Sequence, residues 1–366
     1  MSQDKVETRI DKWVRSEIRS LSAYHVPDPG EMVKLDAMEN PYHWPEKMVD
    51  DWFDVLKNVE LNRYPDPSAK KLTEQLRIAM QVPQGADIIL GNGSDELIQM
   101  IAMTLSSSRA GKANAILSVE PGFVMYRMIA TFADMEYIGV PLNDDFSLNE
   151  TAVLNAIDIN EPAVIFIAYP NNPTGNLFDI NSIKRIIQAA PGVVVVDEAY
   201  HAFADSSFML LLNDYDNLLV MRTVSKMGLA GLRLGLLAGN PKWLDEFDKV
   251  RLPYNINILT QASAEFAMQH IAVLEQQTQQ ICVDREILLN DLALIDGVHV
   301  FPSKANFILV RVAQDKADGI FNTLKEKGIL IKNLSPVGGL LKDCLRITVG
   351  TPEENKQFIE AFKKSL

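Results

Sequence analysis

VVVVDEAYHAF at Val193–Phe203 and MRTVSKMGLAGLRLG at Met221–Gly235 decide how this chain folds. Four valines in succession are β-branched and apolar on both sides of a pleat. They predict a parallel strand covered on both faces. Asp197 follows at the carboxyl end of that strand, where open α/β sheets hold their ligands. A second short strand over Leu218–Arg222 runs into Thr223, Ser225 and Lys226, and Arg233 lies seven residues past the lysine. The fold class expected is α/β, with a mostly parallel sheet between helices.

Taken singly, Lys226 is a solvated lysine and Asp197 a helix cap. Taken together the residues suit one kind of ligand. A ring nitrogen that must stay protonated needs a buried carboxylate beside it, because each charge favours the other. Asp197 can serve. An aldehyde needs a lysine whose burial leaves a usable free amine. Lys226 can serve. A phosphate needs hydroxyls, backbone N–H groups and an arginine fork. Thr223, Ser225 and Arg233 can supply them. The cofactor that carries a pyridine nitrogen, an aldehyde and a phosphate is pyridoxal 5'-phosphate.

Other segments extend this site. DIILGNGSDELIQMIAMTL at Asp87–Leu105 reads as strand, tight turn and helix. Gly93 permits the turn and Ser94 is a good N-cap. The free N–H groups of that helix end make a phosphate cup from Gly93, Ser94 and Asp95. The charge of Asp95 would repel phosphate, so its side chain is expected to cap the helix while its N–H faces the ligand. AVIFIAYPNNPTG at Ala163–Gly175 is a buried strand with a sharp stop, and Asn172–Pro173 is a candidate cis bond. CLRITVG places Arg346 on an apolar strand, where an unpaired guanidinium is costly. That points to a bound carboxylate.

The acidic balance, a net charge of −13 over 366 residues, argues against a nucleic-acid partner. No apolar run is long enough to span a bilayer. The first 21 residues are charged throughout with no apolar signal core, so a cytoplasmic location is expected. Cys282 and Cys344 sit in no metal or redox spacing, and no metal is expected. Val6, Ile10, Trp13, Val14, Ile18 and Leu21 recur at helical spacing, predicting one helix over Lys5–Leu21, either an arm that packs on another surface or an ordinary helix on its own domain. From about Pro241 the pattern changes to mixed helices and strands.

DEAY followed by SKMGLAGLRLG resembles the aspartate-aminotransferase superfamily, fold type I of the pyridoxal-phosphate enzymes. KLDAMENPY, RYPDP, GNGSDELI, EPGF-x-MY, YPNNPTG and CLRITVGTPEEN are similar, more narrowly, to the histidinol-phosphate aminotransferase family. The resemblance covers nearly the whole chain. It implies a seven-stranded large domain over 41–260, a smaller α+β domain over 261–366 and an N-terminal arm over 1–40. It implies transfer of an amino group from glutamate to imidazole acetol phosphate, in a homodimer with shared active sites. Lys226 would be base and acid, Asp197 the partner of the ring nitrogen, and Asn172 or Tyr200 the partner of the ring hydroxyl. Phe123 would stack on the ring, and Tyr64 would reach the phosphate of the other subunit. Tyr24, Asn40, Lys332 and Arg346 would bind substrate. Lys332 is a departure, since relatives often carry arginine there, and lysine keeps the charge but not the bidentate fork. An aromatic amino-acid aminotransferase and a threonine-phosphate decarboxylase share the cofactor residues and stand as alternatives.

Overall fold

The four valines feed two different cores. Val194 and Val196 point into one apolar cluster and Val193 and Val195 into another, on opposite faces of the same strand. All four are fully buried, each contributing on the order of 1.5–3 kcal/mol relative to exposure. This strand, β8 (Val193–Asp197), lies at the centre of a seven-stranded sheet in a computed structural model that describes residues 3–23, 28–109 and 112–366.

The strands that precede it in the chain are β1 (Val33–Leu35), β2 (Asp87–Asn92), the short hairpin β3 (Ser108–Arg109) and β4 (Lys112–Ala113), β5 (Ala115–Glu120), β6 (Glu136–Pro141) and β7 (Val164–Ala168). After β8 come β9 (Leu218–Thr223), β10 (Leu234–Gly239), β11 (His299–Val300), β12 (Phe307–Arg311), β13 (Ile329–Asn333) and β14 (Cys344–Thr348). The large sheet has the order β2-β10-β9-β8-β7-β5-β6. Every neighbouring pair is parallel except those made by β10, which runs antiparallel to both β2 and β9. A mostly parallel seven-stranded sheet is the fold class expected from the sequence. β5 has β6 on one side and β7 on the other, so the chain reverses its travel across the sheet there. Such a switch point opens a crevice at the strands' carboxyl ends.

A second sheet has the order β1-β13-β14-β12-β11. Its strand β1, inside the stretch 1–40 read as an arm, pairs in parallel with β13. Its core is built by this sheet with the helices Ile271–Ala293, Ala317–Glu326 and Pro352–Lys363.

The N-terminal segment departs from the single helix expected. It forms helices Gln3–Trp13 and Ser16–Arg19, broken at Arg15, whose backbone is extended. The break lets the Arg15 guanidinium donate to the carbonyls of Thr131 and Phe132 and pair with Asp134 at 3.0 Å. Trp13 stays 77% exposed on the segment.

Directly behind the carboxyl end of β8, Glu198 and Arg222 form a buried ion pair at 2.8 Å. Glu198 also accepts from the Phe208 N–H and the Ser207 hydroxyl, and Arg222 donates to the Met80 carbonyl. The pair ties β8 to β9. Removing one partner strands the other charge, so Arg222→Met is expected to cost about 3–5 kcal/mol, whereas Arg222→Met with Glu198→Leu recovers most of it. The midpoints of urea unfolding of the two variants measure this. Equal losses in both would refute it.

Candidate active site

The carboxyl ends of β7, β8 and β9 converge on one cleft. Asp197 is the last residue of β8 and Thr223 the last of β9. The Thr223 hydroxyl donates to the Leu234 carbonyl and lies 2.8 Å from the Ser225 hydroxyl. Gly228, at φ +113°, ends the short turn that presents Lys226. The cleft is lined by Asp197, Tyr200, Thr223, Ser225 and Lys226 from this half of the molecule. Ser94, Asp95, Phe123, Asn172 and Arg233 complete it. Residues far apart in the chain are thus brought together in one cleft.

Lys226 Nζ donates to the Ala37 carbonyl at 3.3 Å. Its pKa is pulled down to about 8, chiefly by burial and next by the cation of Arg346. Asp197 is pushed up to about 6 by burial, against the pull of two donors, the Tyr126 hydroxyl and the Ala199 N–H. Both donors are neutral, so this buried carboxylate has no cation bonded to it among the described residues. Tyr126 was missed by the sequence reading.

The helix Gly93–Leu105 points its N-terminus into the cleft. Gly93 has φ +76°, and a Cβ there would come within 2.7 Å of the Arg233 guanidinium. The capping differs from expectation. Asn92 is the N-cap residue and its side chain does not cap the helix, donating instead to the Asn255 carbonyl, while Glu96 rather than Ser94 or Asp95 reaches back to the Asn92 N–H. Asp95 turns into the cleft, 3.5 Å from Arg233, with Oδ1 buried and unbonded. Burial pushes its carboxyl up, against Arg233 and Lys226. A carboxylate cannot cap the helix from there.

Asn172 joins two candidate groups. Its amide donates to the Tyr200 hydroxyl at 3.1 Å and its oxygen accepts from Arg346 at 2.7 Å. The Asn172–Pro173 bond is cis. Arg346 is buried and also donates to the Asp36 carbonyl. Lys332 faces Arg346 directly in the β13–β14 register. Arg346, Lys332, Tyr64, Asn40 and Gly93 are not among the residues that line the cleft. Tyr64 is 79% exposed and stacks on Tyr254 with ring centroids 4.5 Å apart. Asn40 is spent on structure, donating to Met227 and Gln277 and accepting from the Tyr42 N–H, and does not line the cleft. The reason is local: Asn40 closes an Asx turn before Pro41, which consumes its oxygen. Gly93 opens the helix whose next two residues, Ser94 and Asp95, line the cleft. Tyr24 lies outside the described residues.

Residues 30–362 match the family model for aminotransferases of class I and II. The chain belongs to the class I and II aminotransferase family. This aminotransferase is 53% identical over 355 residues to histidinol-phosphate aminotransferase 2 of Nitrosococcus oceani, covering 97% of this chain and 98% of that one. It is 51% identical over 362 residues to histidinol-phosphate aminotransferase 2 of Cupriavidus pinatubonensis, covering 98% and 97%. The histidinol-phosphate aminotransferase of Sinorhizobium meliloti, solved in complex with pyridoxal-5'-phosphate, superposes with a TM-score of 0.84 at 22% identity, covering 96% of this chain and 97% of that one. Aminotransferases of this family depend on pyridoxal phosphate. The residues present fit that group. The cleft holds a carboxylate bonded only to neutral donors, an amine of lowered pKa and a helix N-terminus beside an arginine. No helix among the described residues is long and apolar enough to cross a membrane.

Proposed function

We propose that this aminotransferase moves the amino group of glutamate to imidazole acetol phosphate, giving histidinol phosphate and 2-oxoglutarate. The observation that carries the substrate assignment is the cross-strand pair of Arg346 and Lys332. Two cations side by side on adjoining strands suit a substrate anion. Arg346 reaches the cleft through Asn172. The shared names of relatives near 50% identity support the same substrate.

When bound, the cofactor supplies an electron sink for the α-carbon. The chain's own residues do the rest. Asp197 keeps the ring nitrogen protonated. Lys226 Nζ anchors the cofactor, then takes the proton from the substrate α-carbon and carries it within the cleft. Asn172 and Tyr200 hold the ring oxygen, and Phe123 covers one face of the ring. Thr223, Ser225, Arg233 and the N–H groups of Gly93, Ser94 and Asp95 hold the phosphate. Arg346 holds the substrate carboxylate of glutamate and, with Lys332 and Tyr24, the phosphate of the second substrate. Asn40, whose amide is already bonded, shapes the entrance only indirectly. Tyr64 is exposed because it belongs to the active site of a second copy, so the working form is a homodimer. We place the enzyme in the cytoplasm.

A half-reaction tests the assignment. The cofactor-loaded protein mixed with histidinol phosphate is expected to lose the absorbance of the lysine-bound cofactor rapidly and release imidazole acetol phosphate. No change there, with ready conversion by phenylalanine or tyrosine, would move the assignment to an aromatic amino-acid aminotransferase. Release of carbon dioxide from threonine phosphate would move it to a decarboxylase.

A further inference from the structure

One buried polar group behind the cleft has no place in the roles above: the hydroxyl of Tyr126. The residue sits in the first turn of the helix Val124–Phe132 and is wholly buried. Its hydroxyl donates to Asp197 Oδ2 at 2.7 Å, across 71 residues of chain. The Ala199 N–H donates to Oδ1 at 3.1 Å. Each carboxylate oxygen thus has one neutral donor and keeps acceptor capacity on the side that lines the cleft. The Tyr126 ring is held on both sides. It stacks on Phe166 of β7 at 4.8 Å with the planes 13° apart. Phe123 meets it edge-on at 5.5 Å.

We propose that Tyr126 is a positioning residue for the proton on the cofactor's ring nitrogen, fixing the orientation of Asp197 and keeping that carboxyl charged. The inference rests on the reading of Asp197 as the partner of that nitrogen. Its physical basis is the cost of a charge in an apolar wall. Burial disfavours the carboxylate, and Asp95 and Glu198 add like charge to the same effect. Tyr200 and Tyr137 are the further titratable groups acting on the Tyr126–Asp197 pair, and both are neutral phenols. Only hydrogen bonds to the charged form oppose these forces, and Tyr126 makes the shorter of the two. One helix turn then performs two tasks, with Phe123 against the ring and Tyr126 behind the carboxylate.

The test uses the cofactor-loaded enzyme and Tyr126→Phe, which keeps the ring and removes only the donor. The readout is the pH midpoint of the absorbance band of the lysine-bound cofactor. A firmly protonated ring nitrogen repels a second proton on the lysine-linked nitrogen. A weaker hold lets that second proton persist to higher pH. The midpoint is expected to rise by about one unit, the scale of one hydrogen bond to a charged group. The kcat falls about tenfold, an equivalent free energy, while KM for glutamate stays constant. Placing 3-fluorotyrosine at position 126 makes a stronger donor and should move the midpoint the opposite way. Tyr137→Phe, a phenol without a bond to Asp197, should leave it unmoved. A wild-type midpoint in Tyr126→Phe, or an equal shift in Tyr137→Phe, would overturn the proposal. Asp197→Asn separates the two levels. If it shifts the midpoint and Tyr126→Phe does not, only the role of Tyr126 falls. If neither shifts it, the reading of Asp197 falls as well.

Discussion

Lys226→Ala is expected to lower the transamination rate by about 10³-fold or more, the range of a lost general acid–base group. The same variant loses the absorbance of the lysine-bound cofactor. Persistence of that absorbance would overturn the assignment of the anchor. The residue's burial gives a second, separable expectation. In the folded cofactor-free protein the amine has its pKa pulled down to about 8, from an ordinary 10.5, because burial and the Arg346 cation disfavour its charge. Unfolding returns it to 10.5. Below about pH 8 both states are charged and the folded protein bears the full cost. That cost fades as pH rises from 8 through 10.5, above which neither state is charged. Lys226→Met is therefore expected to stabilise the cofactor-free protein at pH 7 by as much as about 3 kcal/mol. The advantage should shrink between pH 8 and 10.5. Urea unfolding of the two proteins at pH 7 and pH 10 measures it, and a gain independent of pH would refute the burial argument.

Arg346→Met is expected to lower kcat/KM for glutamate by about a hundredfold to a thousandfold, the span for removing one partner of a buried hydrogen-bonded charge pair. The guanidinium is buried, and its Nη1 and Nη2 are held by Asn172 and by the Asp36 carbonyl. It is therefore oriented before any anion arrives, and little side-chain entropy is lost on binding. Arg346→Lys should recover only a small part of the rate, because an ammonium lacks the planar fork. The loss should appear first in KM, since a carboxylate that takes no part in the proton transfer is bound in ground and transition states alike. Steady-state rates with glutamate and with 2-oxoglutarate check this. An unchanged KM for both would remove Arg346 from the substrate site.

Arg346 also shows why part of this site could be read in advance. An arginine on an apolar strand is conspicuous by its cost, as are a lysine among small polar residues and a carboxylate closing a run of valines. Such signals are local, and motif spacing carries them. The partners of these groups are not local. Nothing in EPGFVMY marks Tyr126 as the donor to Asp197, because that bond depends on how one helix packs against β7 and β8. Asp95 failed as a cap for the same reason. Its helix position alone allowed either direction, and the turn at Gly93 with Arg233 beside it drew the side chain into the cleft. The broken N-terminal helix followed from Arg15 finding two carbonyls more than a hundred residues away.

By itself the sequence determined the α/β class, the buried central strand and the set of polar residues at its carboxyl end. Hydrophobic period, turn chemistry and charge in apolar surroundings are properties of short segments, and they survive without knowledge of the fold. Only the tertiary structure decided which of those residues share one cleft. It also set the antiparallel entry of β10, the pairing of β1 with β13 and the cross-strand meeting of Lys332 with Arg346. These depend on registers and crossings between distant segments, where many arrangements satisfy the same local pattern and packing of the whole core selects one.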